Sequence, residues 1–134
     1  MKYEEFVAQV QDRADLDSPD VARRAIAAAL ETLGERLLAE DAHRLAEELP
    51  PELGRYVEDA ETGQQFDVDD FFTRVSYREG TDISLATDHA RIVLGLLRRA
   101  VSPGVMSRIH ARLEKQYDSL FRGIGKGHRP GGRR

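Results

Sequence analysis

Residues 18–37, SPDVARRAIAAALETLGERL, carry the reading of the fold. Val21, Ala22, Ala25, Ile26, Ala29, Leu30, Leu33 and Leu37 recur at intervals of three and four, which places them on one side of an α-helix. Ser18 offers an oxygen to the orphan amides of the first turn, Pro19 suits the first helical position, and Asp20 favours the positive end of the helix dipole. Shifted by 64 residues, Val21, Ala22, Ala29, Leu30, Leu33 and Leu37 meet Leu85, Ala86, Val93, Leu94, Leu97 and Val101. Working outward, Tyr3, Phe6, Val7 and Val10 stand 65 residues before Val68, Phe71, Phe72 and Val75. Downstream, Ala42, Leu45, Leu49, Leu53, Tyr56 and Val57 stand 64 residues before Met106, Ile109, Leu113, Tyr117, Leu120 and Phe121. An offset that slips only once along the chain points to an internal duplication.

Each half then holds about three helices. In the first half the third helix runs from about Ala39 to Leu49 and stops at Pro50-Pro51, with a short helical turn through Leu53 to Val57. In the second, Asp67 and Asp82 are expected caps, and Ser102-Pro103 opens a helix expected to continue to Arg122 because no proline pair interrupts it. The middle helix of the second half is apolar on more than one side. Ile92 and Leu96 replace Ala28 and Thr32 of the first half, so this helix is expected to lie centrally or to face a partner. Gly34 and Gly95 fall inside helices, where they suit close crossings. The half-repeats span about 1–57 and 67–121, joined by a polar loop at 58–66. Domains as small as either half bury a modest share of their surface. The expectation is therefore an all-α helical bundle of two pseudo-repeats, packed as one globular domain over 1–121.

Charge divides the chain differently. The whole has 134 residues and a formal net charge of -4, with 40% hydrophobic and 33% charged residues. Residues 122–134, RGIGKGHRPGGRR, hold five cations (Arg122, Lys126, Arg129, Arg133 and Arg134) and no acid, leaving residues 1–121 with a net charge of -9. Glycine-rich, apolar-poor composition of this kind reads as a flexible tail. The absence of cysteine excludes a disulfide framework and thiolate metal sites. No apolar run approaches the roughly 18–20 residues of a membrane span, and the N-terminus lacks a signal-peptide pattern, so a cytoplasmic protein is expected.

The usual chemical signatures are missing. His110 and Glu114 share a helix face, but zinc ordinarily takes three or four protein ligands. Asp67, Asp69 and Asp70 lack the register of a calcium loop and read instead as an acidic first turn. Gly123 to Gly127 follow a helix, where a phosphate-cradling loop would precede one. No nucleophile with a base partner is recognisable. We therefore assign no catalytic, cofactor-binding or metal-ligating residue.

Tyr3-x-x-Phe6-Val7-x-x-Val10, the run Ala25 to Leu37, and Ala42-His43-Arg44-Leu45-Ala46-Glu47-Glu48-Leu49-Pro50 together resemble the bacterial and archaeal domain-of-unknown-function family 2267 over about residues 3–121. The resemblance implies a helical fold of two related halves and carries no catalytic residue, cofactor or substrate. The expected role is a non-catalytic module for protein interaction or self-association, with Ile92 and Leu96 as candidate contacts. Two alternatives are nucleic-acid association through the five cations of the tail, and a small-molecule site at the seam between halves near His43, His110 and Tyr117.

Overall fold

The computed structural model describes residues 1–113 and 115–122. Seven α-helices follow one another among them: α1 (Tyr3–Ala14), α2 (Pro19–Arg36), α3 (Ala39–Glu47), α4 (Pro51–Glu58), α5 (Val68–Glu79), α6 (Ile83–Ala100) and α7 (Pro103–Arg112). A 3-10 helix, Lys115–Arg122, completes the order, and no strand occurs among the described residues. None of these helices is long and apolar enough to cross a membrane.

The expected punctuation accounts for most helix starts. Ser18 Oγ accepts the Val21 N–H, Asp67 Oδ1 that of Asp70, Asp82 Oδ1 that of Leu85, and Ser102 Oγ that of Val105. Each bond satisfies an amide that has no partner within its own helix. Pro19, Pro51 and Pro103 occupy first-turn positions, where a missing N–H costs nothing.

Packing makes one body. α2 lies against α1, α4, α5 and α6, while α6 lies against α1, α2, α5 and the 3-10 helix. The two long helices thus share the centre that the sequence pattern gives to α6 alone. Phe6, Leu30, Leu33, Phe71, Leu94 and Leu97 are fully buried between these elements. Phe71 meets Phe72 and Tyr117 edge to face, with ring centroids 6.1 and 5.9 Å apart.

Two expectations are corrected. The helix from Pro103 does not continue to Arg122: it ends at Arg112, and Leu113 takes an extended conformation (φ -87°, ψ 150°). That break redirects the chain, so that Tyr117, Leu120 and Phe121 enter the core. Leu85, aligned with the core face, is 47% exposed, because the first turn of α6 extends beyond its neighbours and leaves Ile83 half exposed as well. The loop after α4 is held in place despite its polar composition. Gly63 N–H donates to Leu37 O at 2.7 Å, Gln64 N–H to Glu35 O at 2.8 Å, and Arg36 Nε to Phe66 O at 3.1 Å. Tyr117 Oη also donates to Phe66 O.

Close approach of α2 and α4 depends on Gly34. A Cβ there would lie 2.6 Å from Val57 O and 2.8 Å from Ala60 Cβ, so any side chain would force the helices apart. Gly54, which the sequence pattern does not single out, meets Ala46 of α3 in the same way.

Candidate functional site

The residues selected from sequence do not converge. Leu96 is fully buried in the chain's own core, so it presents no surface to a partner, and Ile92 is only partly exposed on the same helix. Burial by α1, α2, α5 and the 3-10 helix accounts for the apolar girth of α6. His43 is exposed on α3 and His110 on α7, where its ring lies 4.7 Å from that of Phe121, whereas Tyr117 is buried. These three residues therefore do not form a common pocket. Glu114, Lys126, Arg129, Arg133 and Arg134 lie outside the described residues, as does the Gly123–Gly127 run; Arg122 ends the 3-10 helix.

What the fold does bring together is a set of ionic side chains from α2 and α5. Glu35, on the buried side of α2, accepts Arg78 Nη1 at 2.9 Å and Nη2 at 2.5 Å, and Arg74 Nη1 at 3.0 Å. Arg78 also donates to Thr32 Oγ1 at 2.8 Å, and Thr32 in turn donates to Ala28 O at 2.8 Å. Arg74 reaches Gln64 Oε1 at 2.8 Å and lies 3.7 Å over the Phe66 ring. The Arg78 guanidinium, then that of Arg74, holds the Glu35 carboxyl below its ordinary range against the opposing effect of burial. The same pairing raises Arg78 further. Both arginines are thereby fixed in orientation at the protein surface.

This ionic set forms one wall of a cleft of about 590 Å³ between α2, α4 and the start of the following loop. It is lined by Glu31 and Glu35 of α2, Arg55 and Tyr56 of α4, Arg78 of α5, and Asp59, Ala60 and Glu61 that follow α4. On the outer side of α5, Thr73, Arg74, Tyr77 and Arg78 bound a second, shallower concavity. Tyr77 is 89% exposed, the most exposed large apolar side chain among the described residues. Ile83 and Leu85 lie just past the α5–α6 turn and are about half exposed.

A family model described as an uncharacterized conserved protein, DUF2267, matches residues 3–120. The chain belongs to the DUF2267 family. The match spans all seven α-helices and most of the 3-10 helix. Comparison with curated proteins gives no match.

Two further polar clusters complete the ionic map of this DUF2267 chain. Asp41 is buried at the α3–α7 contact, with Arg112 Nε 2.8 Å from Oδ2 and Arg108 Nε 3.5 Å from Oδ1. Glu79 and His89 are buried together between α5 and α6, Nδ1 to Oε2 at 2.5 Å. Among the described residues, no three His, Asp or Glu side chains are placed to hold a metal ion.

Sequence reasoning missed the α2–α5 set because its members lie far apart in the chain. Glu35 is 39 residues from Arg74 and 43 from Arg78.

Proposed function

We propose that this chain is a non-catalytic interaction module that engages a protein partner through the surface formed by α4 and α5. The observation that carries the proposal is Tyr77, 89% exposed beside two arginines already held in orientation by Glu35. Tyrosine and arginine are the side chains most enriched among residues that dominate binding energy, because each presents a large contact area and retains a polar end. Fixing Arg74 and Arg78 before contact reduces the entropy lost on binding. The interface thus moves from Ile92 and Leu96 on α6, expected from sequence, to Tyr77 on α5.

The test is site-specific. A photo-crosslinker at position 77 should trap a discrete partner in the source cells, and one at Arg13 should not. Binding of that purified partner should weaken by about tenfold or more in Tyr77→Ala, as for a dominant contact. Unchanged affinity in that variant would reject the proposal.

The duplication inferred from sequence belongs with this reading. It is supported by α1 and α5 having 12 residues each and α2 and α6 having 18 each. Superposition of residues 3–58 on 68–122 tests it: unrelated helix directions would remove it.

A further inference from the structure

Within the interaction role proposed above, we infer that the cleft between α2 and α4 receives an arginine or lysine side chain from a basic segment of the partner. Some charges in the cleft already neutralise one another and others do not. Arg78 is fully engaged, with two bonds to Glu35 and one to Thr32. Glu35 is engaged by Arg74 and Arg78 together. Glu31 forms an ion pair with Arg78 Nε at 3.7 Å. Asp59, Glu61 and Arg55 also line the cleft and have no ion pair among the described residues. Over the whole lining, the carboxylates of Glu31, Glu35, Asp59 and Glu61 outnumber the guanidiniums of Arg55 and Arg78, so a cation entering the cleft is attracted while an anion is repelled.

Shape and composition agree with that sign. The volume of about 590 Å³ lies within the range that encloses a side chain and its flanking backbone. Tyr56, on α4, supplies an aromatic wall against which a guanidinium or ammonium gains cation–π attraction. Gly34 holds α2 close to the end of α4, and the loop that carries Ala60 and Glu61 is tied back to α2 through Gly63 and Gln64. Beyond Arg78 the surface continues to Tyr77, which offers apolar contact to residues flanking the inserted cation.

Isothermal titration of the full chain with a capped pentapeptide of alternating glycine and arginine tests this at low salt. The double variant Asp59→Asn/Glu61→Gln should weaken binding by about tenfold, and Tyr56→Leu by about threefold. Glu4→Gln/Glu5→Gln, which removes the same charge from the first turn of α1, should change it by less than about twofold. Equal weakening by both double variants would show diffuse attraction to an acidic body and overturn the assignment. So would inorganic phosphate binding that is lost in Arg55→Ala, or a concentration-dependent dimer that the Asp59→Asn/Glu61→Gln variant disperses. Melting curves establish that each variant is folded. If Tyr77→Ala abolishes partner binding while the peptide fails to bind wild type, the interaction role stands and the basic-segment assignment falls.

Discussion

At the scale of single residues, His43 shows how geometry sets charge. Its Nδ1 meets a Glu58 oxygen on α4 and its Nε2 lies 3.3 Å from Glu47 on α3, so both ring nitrogens need protons to serve both contacts. Bonding to Glu58, reinforced by Glu47, raises His43 above its ordinary value of 6.5. A group raised on folding stabilises fully below its unfolded value and loses that contribution as pH rises through the folded one. NMR titration should therefore find the His43 midpoint above 6.5, and Glu58→Gln should bring it down. Glu35 works in the opposite sense. Its carboxyl is held below 4.5, so its contribution is present above that value and is lost as pH falls through the folded midpoint. Replacing it by Gln should destabilise by about 1–3 kcal/mol at neutral pH, measured by urea unfolding, and flatten the acid limb of the stability profile. Gly34 was legible as an anomaly within a helix, but its neighbours were not. Only the fold reveals Val57 O and Ala60 Cβ against it. Gly34→Ala should thus destabilise by about 1–3 kcal/mol, overriding the gain in helix propensity.

At the scale of elements, local signals and tertiary effects separate cleanly. The starts of α2, α5, α6 and α7 were readable because Ser18, Asp67, Asp82 and Ser102 each bond to an amide three residues onward. Chemistry confined to one turn leaves its mark in one turn of sequence. Ser18→Ala should accordingly cost about 1 kcal/mol in chemical denaturation. The break at Leu113 had no such mark. Neither proline nor glycine stands there, and the extended conformation is favoured by the burial it allows further along the chain, where Tyr117, Leu120 and Phe121 all enter the core. The first turn of α6 shows the converse. Ile83 and Leu85 suit a core-facing helix by type, yet no other element covers them fully. The ionic set of α2 and α5 was hidden for a related reason: pattern reading assigns charged residues to solvent, and Glu35 is buried because two arginines compensate it.

At the scale of the whole molecule, α2 and α6 supply the common core, and Leu30→Ala or Leu94→Ala should each destabilise by about 2–5 kcal/mol in a single cooperative transition. Two transitions in calorimetry would instead mean that the halves unfold separately. The halves are also joined at their surface. Glu48 accepts the Ser102 N–H at 2.7 Å and its hydroxyl at 2.9 Å, while Asp41 grips Arg108 and Arg112. The loop between α4 and α5 has a related consequence. By composition it invites cleavage, yet Gly63 and Gln64 are tied to the end of α2, and the carbonyl of Phe66 is bound by both Arg36 and Tyr117. A protease needs several residues of loose backbone to thread its active site, and these tethers deny it that slack. Even a severed chain would stay whole in shape, because the contacts between its pieces run through the interior and not through the cut.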